Sequence, residues 1–141
     1  MRKLWLTMVM VISVPLAGRP QKSCYCQPTE KYGYGGHETI IIQEPKVHRR
    51  LAGTVVDASS ATLKGAIVEV FTTGEKDGRK RVAACIVGES GQFCFPQFKQ
   101  GTYTLSVSAQ GFKVTEITLK LNSKSRAATN EEMIVYLPVG T

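Results

Sequence analysis

GQFCFPQFKQGTYTLSVSAQGF, residues 91–112, contains two strands, the connection between them and the turn that ends the second. Phe93 and Phe95 alternate with Gln92 and Cys94, and after Gly101 the apolar Tyr103, Leu105 and Val107 alternate with Thr104, Ser106 and Ser108. Successive side chains of a strand point to opposite faces, so a period of two predicts half-buried strands with one core face and one wet face. Gly91, Gly101 and Gly111 stand where these runs start or stop, as tight turns require.

The same pattern extends in both directions. Upstream, residues 50–57 (RLAGTVVD) place Leu51, Gly53 and Val55 on one face, and residues 66–74 (AIVEVFTTG) do so with Ala66, Val68 and Val70. Residues 81–88 (RVAACIVG) alternate Val82, Ala84 and Ile86 with Ala83, Cys85 and Val87. Downstream, Ile117, Leu119 and Leu121 keep period two while Val114 is out of step, which predicts a bulge or strand break near Thr115-Glu116. In residues 131–137, Met133, Val135 and Leu137 form the inward set, and Pro138 ends the run. From Leu51 onward this makes seven short, evenly spaced strands with no long helix, an all-β, seven-stranded Greek-key β-sandwich.

The first third of the chain reads differently. Residues 1–18 begin with Arg2 and Lys3, continue in an apolar run and end in Ala17 and Gly18, the layout of a secretory signal peptide. That run is shorter than the ~20 residues of a membrane-spanning helix, so no transmembrane span is expected after its removal. Residues 19–49 are expected to form a flexible arm rich in Pro, Gly and polar residues. Within it, the β-branched run 39–43 (TIIIQ) is a candidate edge or partner-binding strand stopped by Pro45. The domain proper is then 50–138, with 139–141 as a tail. The formal charge of +7 over 141 residues falls to +5 without Arg2 and Lys3, a modest field that favours solubility or anionic surfaces.

The order of motifs in the domain resembles the carboxypeptidase regulatory-like domain, a transthyretin-like (prealbumin-like) sandwich of the carbohydrate-binding-like group. The residues that carry this are Gly53, Val55 and Asp57; Gly65, Ala66 and Val68; Gly91, Phe93 and Phe95; Gly101, Tyr103, Leu105 and Val107; and the corner Gly111-Phe112. One departure is the turn Gly88-Glu89-Ser90-Gly91, where the family often has Asp-x-x-Gly. The resemblance implies an accessory, non-catalytic module in an exported protein, in the periplasm, at the cell surface or secreted. Hydroxyisourate hydrolase, built on the same scaffold, has basic and histidine residues on inner strands and a Tyr-Arg-Gly-Ser ending, whereas this chain ends Tyr136-Leu137-Pro138-Val139-Gly140-Thr141.

Four cysteines remain to be placed, Cys24, Cys26, Cys85 and Cys94. If the turn at 88–91 joins its strands as a symmetric hairpin, Cys85 lies opposite Cys94 on the outer face and a cross-strand disulfide is expected, with Ile86 and Phe93 meeting on the core side. Cys24, Cys26 and His37 are weak metal-ligand candidates, since zinc sites ordinarily show a second ligand pair and a spacing of two to four. His37-Glu38 starts like a zinc-protease helix, but position 41 is Ile, where that motif needs a second His. His37 and His48 both fall outside the expected sandwich, so no acid–base pair is assembled and no cofactor is expected.

Tyr32 and Tyr34 in the arm, with Lys76, Arg79, Lys80 and Arg81 of the basic 76–81 loop, are the candidate contacts for a partner or glycan. Nucleic acid is not expected, because export separates the chain from it and no recognition motif is present. The expected function is structural support or protein–protein interaction with an envelope or extracellular protein. The alternatives are a small carbohydrate-binding module, or a thiol or metal carrier through Cys24 and Cys26.

Overall fold

The computed structural model describes residues 26–35, 38–73, 78–96 and 98–140. The signal-like segment 1–18 lies outside them. Nine strands are present among the described residues: β1 (Gln27–Pro28), β2 (Thr39–His48), β3 (Ala52–Val56), β4 (Ile67–Thr72), β5 (Lys80–Ile86), β6 (Gln92–Cys94), β7 (Gly101–Ser108), β8 (Val114–Leu121) and β9 (Met133–Tyr136). The seven strands expected from Leu51 onward are β3 to β9. The count rises to nine because the preceding arm contributes β1 and β2.

The strands form a six-stranded sheet, ordered β1-β5-β4-β7-β8-β2, and a three-stranded sheet, ordered β6-β3-β9. Between them lies the core, built from the inward alternates of β3 to β9. It includes Val68 and Val70 of β4, Leu105 and Val107 of β7, Phe93 of β6 and Val135 of β9. Each such side chain contributes about 1.5–3 kcal/mol on full burial, which makes this alternation the main determinant of register. After β5 the chain crosses to the smaller sheet as β6 and returns as β7 beside β4, a Greek-key return.

This crossing overturns the hairpin expected at 85–94. Gly91, at φ +70°, closes a tight turn through its N–H to the Gly88 carbonyl, and the Gly91 carbonyl then accepts from Val55 of β3. Strand β6 pairs with β3, placing Cys94 opposite Ala52, while β5 pairs with β4, placing Cys85 opposite Val68. The face is reversed as well, since Cys85 is buried in the core at 1% exposure whereas Ile86 is half-buried. A glycine turn looks the same in sequence whether the chain stays in one sheet or passes to the other.

Strand β8 carries no bulge. It pairs with β7 without interruption from Val107↔Thr115 to Gly101↔Leu121, and Thr115 occupies the inward position that Val114 was expected to miss. Its Oγ1–H donates to the Tyr136 carbonyl (3.1 Å), joining the two sheets through a buried hydroxyl. The irregularity lies instead in β2, between Gln43 and Val47. Pro45 does not stop that strand, because an edge position does not need the N–H that proline lacks. β2 runs on to His48, which is buried within the fold and stands 3.9 Å from Glu44 Oε1 through its Nε2.

Candidate functional site

The outer face of the six-stranded sheet departs most from a solvated surface. Glu69, Ser106 and Glu116 form one cross-strand row, with Phe71, Thr104 and Thr118 in the next. Thr104, Ser106 and Ser108 were expected to be wet, yet all three are buried, and Glu69 is only 6% exposed. Small hydroxylated side chains here are flanked by the larger Glu69, Glu116 and Phe71, and residues 29–35 cross above them as a strap.

Backbone donors hold that strap. Gly33 N–H donates to Glu69 Oε1 (3.0 Å), and Tyr34 N–H donates to Ser108 Oγ (2.9 Å). A Cβ at Gly33 would collide with Glu69 Oε1 and stand 2.7 Å from Ser108 Oγ, so only glycine permits this approach. At the strap's start, Thr29 N–H donates to the Ala84 carbonyl, and Arg81 donates to the Thr29 carbonyl (2.9 Å) while reaching Glu69 Oε2 (3.5 Å). At its far end, the Glu38 carbonyl accepts from Val114 N–H, and the Glu38 carboxylate meets Lys113 Nζ at 3.2 Å.

A covalent link anchors the strap. Cys26 and Cys85 form a disulfide with Cα atoms 5.4 Å apart, replacing the expected Cys85–Cys94 bridge. Cys94 is itself disulfide-bonded. In this bond Cys26 has no thiolate to offer a metal, which corrects its candidacy as a ligand. Cys24 and His37, the other two weak candidates, lie outside the described residues, as does Lys76.

The structure brings Tyr32, Arg79 and Arg81 onto one face, whereas Lys80 alternates to the other. Arg81 lies over the Tyr32 ring, 5.2 Å from its centroid, and Tyr32 is otherwise 81% exposed. Arg79 lies 4.3 Å from the Phe71 ring centroid and 2.9 Å from Glu116 Oε1. Lys80 is exposed, and its carbonyl accepts from Thr72 Oγ1. Sequence reasoning missed Glu69, Glu116 and Phe71, which only the cross-strand rows place beside these arginines.

A different surface is available at the β2 edge. Ile41 and Ile42 are 68% and 44% exposed there. The carbonyl of Glu38 faces β8, so the alternation of a strand turns the backbone groups of Ile40 and Ile42 to β8 and those of Thr39, Ile41 and Gln43 outward. Further along, the Val47 carbonyl is taken by Thr129 N–H and the Lys46 N–H by Glu44 Oε1. Among the described residues, the open part of this edge is thus Thr39 to Gln43.

Two clefts lie elsewhere among the described residues. One, of ≈ 450 Å³, is lined by Cys26, Gln27, Lys64, Gly65, Ile86, Val87 and Gly88. The other, of ≈ 240 Å³, is lined by Val47, Gln100, Gly101, Thr102, Lys120, Leu121 and Asn122. Lys64 and Lys120 are their respective titratable groups, and neither lining contains an acid–base pair.

The chain is similar in structure to transthyretin from Sparus aurata, with 14% identity and a TM-score of 0.49, covering 67% of this chain and 94% of that one. Sea bream transthyretin in complex with thyroxine gives 13% identity and a TM-score of 0.48, covering 64% and 86%. No curated protein matches the sequence. The model of the carboxypeptidase regulatory-like domain matches residues 50–131, so the chain belongs to that family, with the strap and the β2 edge added in front of the family domain.

Proposed function

We propose that this chain is an exported, non-catalytic β-sandwich module that acts through protein–protein interaction in the cell envelope or outside the cell, with Thr39 to Gln43 as its working edge. The observation that carries this reading is the stretch 39–43 of β2, where Thr39, Ile41 and Gln43 turn their backbone groups outward and Ile41 and Ile42 are exposed. Such an edge accepts an added strand, with main-chain hydrogen bonds supplying affinity and alternate side chains supplying selectivity. Export is supported by the signal-like residues 1–18 and by the Cys26–Cys85 disulfide, a bond that persists in oxidising compartments.

The test is a crosslinking pull-down from the native envelope fraction with the tagged mature chain and its Ile41→Lys variant. A protein captured by the first and lost with the second supports the reading. Equal capture by both would refute the edge as the working surface.

A second reading, glycan binding, is favoured by the exposed Tyr32 ring with Arg81 on it, an aromatic platform beside a donor-rich cation. Affinity electrophoresis in soluble polysaccharides tests it: retardation that Tyr32→Ala abolishes supports glycan binding, and unchanged mobility throughout rejects it.

A further inference from the structure

The sequence of the open edge is nearly symmetric about its centre. Thr39-Ile40-Ile41-Ile42-Gln43 has a polar residue at each end and three isoleucines between, so reversing its direction returns almost the same pattern. We propose that the partner at this edge is a second copy of the chain, paired antiparallel through Thr39 to Gln43 with a two-fold axis at Ile41. This rests on the reading of that edge as the working surface and names its occupant.

The backbone geometry suits this pairing. Thr39, Ile41 and Gln43 direct their N–H and C=O groups outward, so a two-fold at Ile41 makes Ile41 face Ile41 of the second copy and Thr39 face Gln43. These are hydrogen-bonded pairs in which each residue exchanges both of its bonds. Ile40 and Ile42 then form the intervening non-hydrogen-bonded pairs, where side chains approach most closely, and β-branched residues in such pairs stabilise a ladder. The exposed isoleucines therefore gain cover on both faces of the joined sheet.

The length also fits. Beyond Gln43, Pro45 has no N–H to offer, and the edge from Lys46 onward is satisfied within the chain by Glu44 and Thr129. Pairing is thereby confined to the symmetric five residues, and shifting the register by one residue would turn each isoleucine against the wrong face. At the ends of the ladder, Glu38 meets Glu44 of the second copy. Lys113, 3.2 Å from Glu38, offsets that repulsion. An isologous contact of this kind closes on itself and leaves no further edge at β2 for a third copy.

Light scattering coupled to size exclusion, over a concentration series of the oxidised mature chain, tests the proposal. The expected result is a mass rising to twice the monomer value. Ile41→Pro should hold the mass at that of the monomer throughout, because the Ile41 N–H points away from β8 and its removal costs no bond within the chain. Ile41→Lys, which leaves the backbone intact and places like charges on the axis, is expected to do the same and serves if the proline variant fails to fold. A wild-type chain that stays monomeric across the series, or variants that dimerise as well as wild type, would overturn the inference. If the monomeric wild type still captures an envelope protein that Ile41→Lys loses, the edge works on a different partner, and the broader functional reading survives without this one.

Discussion

Substituting Gly33 by alanine probes whether the strap over the outer sheet face contributes to stability. The new Cβ would collide with Glu69 Oε1 and come within 2.7 Å of Ser108 Oγ, the two acceptors that hold the strap. Glu69 is clamped from its other side by Arg81 and has no room to withdraw, so the strap must lift. Lifting forfeits one hydrogen bond to a charged acceptor, about 1.5–3 kcal/mol, and one to a hydroxyl, about 1 kcal/mol. The released segment regains backbone entropy, which lowers the net loss to roughly 2 kcal/mol. The Cys26–Cys85 bond keeps the strap tethered, so the cost is limited to what this segment contributes and the sandwich stays folded. Urea unfolding of the oxidised chain should show a lower midpoint at unchanged slope, and thermal unfolding a Tm lower by about 8 °C. Limited proteolysis should cut within residues 29–35 sooner than in wild type. Gly35→Ala is the matched control, since nothing lies within 4 Å of the Cβ it would add, and its effect should stay within about 0.5 kcal/mol. Equal stability and equal protease resistance of the two variants would refute the docked strap.

Three further outcomes are expected. Replacing Cys26 and Cys85 together by alanine should cost up to about 4 kcal/mol, from the loop entropy of a 59-residue separation, and non-reducing peptide mapping should recover these two residues in one linked species; a Cys85–Cys94 peptide would contradict the fold. Thr115→Val keeps the side-chain shape but removes the hydroxyl that bridges to Tyr136, so urea unfolding should show a loss of about 1 kcal/mol, whereas a stabilised variant would mean that this hydrogen bond carries no net weight. The hydroxyl of Ser59, followed by the backbone N–H of Ala61 and Ser59, holds the Asp57 carboxyl below its ordinary value of 3.8. A depressed folded value means that the unfolded chain takes up the proton first on acidification. The Asp57 contribution is therefore complete above 3.8 and is lost as pH falls through the lower folded value. The stability gap between wild type and Asp57→Asn should close over that interval in denaturant titrations, and a gap that widened on acidification would contradict the turn geometry.

Much of the fold was legible because period-two alternation and glycine turns depend on near neighbours in the chain. Leu51, Val55, Val68, Val70, Leu105, Val107, Met133 and Val135 were each placed inward by alternation alone, and each is buried. The family resemblance was likewise carried by short motifs in order. Thr115 was missed because a hydroxylated residue can occupy a core position when a carbonyl is at hand, and Tyr136, which supplies it, lies 21 residues away.

The candidate sites were legible only in part. Tyr32 and Arg81 could each be singled out, yet their meeting depends on a strap bonded to Glu69 and Ser108, which are 36 and 74 residues distant from their donors. The cysteine pairing failed for the same reason. A four-residue glycine turn is compatible with a hairpin or with a passage between sheets, and only packing of the whole core selects the second. What the sequence by itself determined was the position, phase and class of the strands and the β-branched character of residues 39–43. Tertiary structure decided which strands pair, which cysteines meet, what covers the outer face and which backbone groups are left open at the edge, since these depend on contacts between residues far apart in the chain.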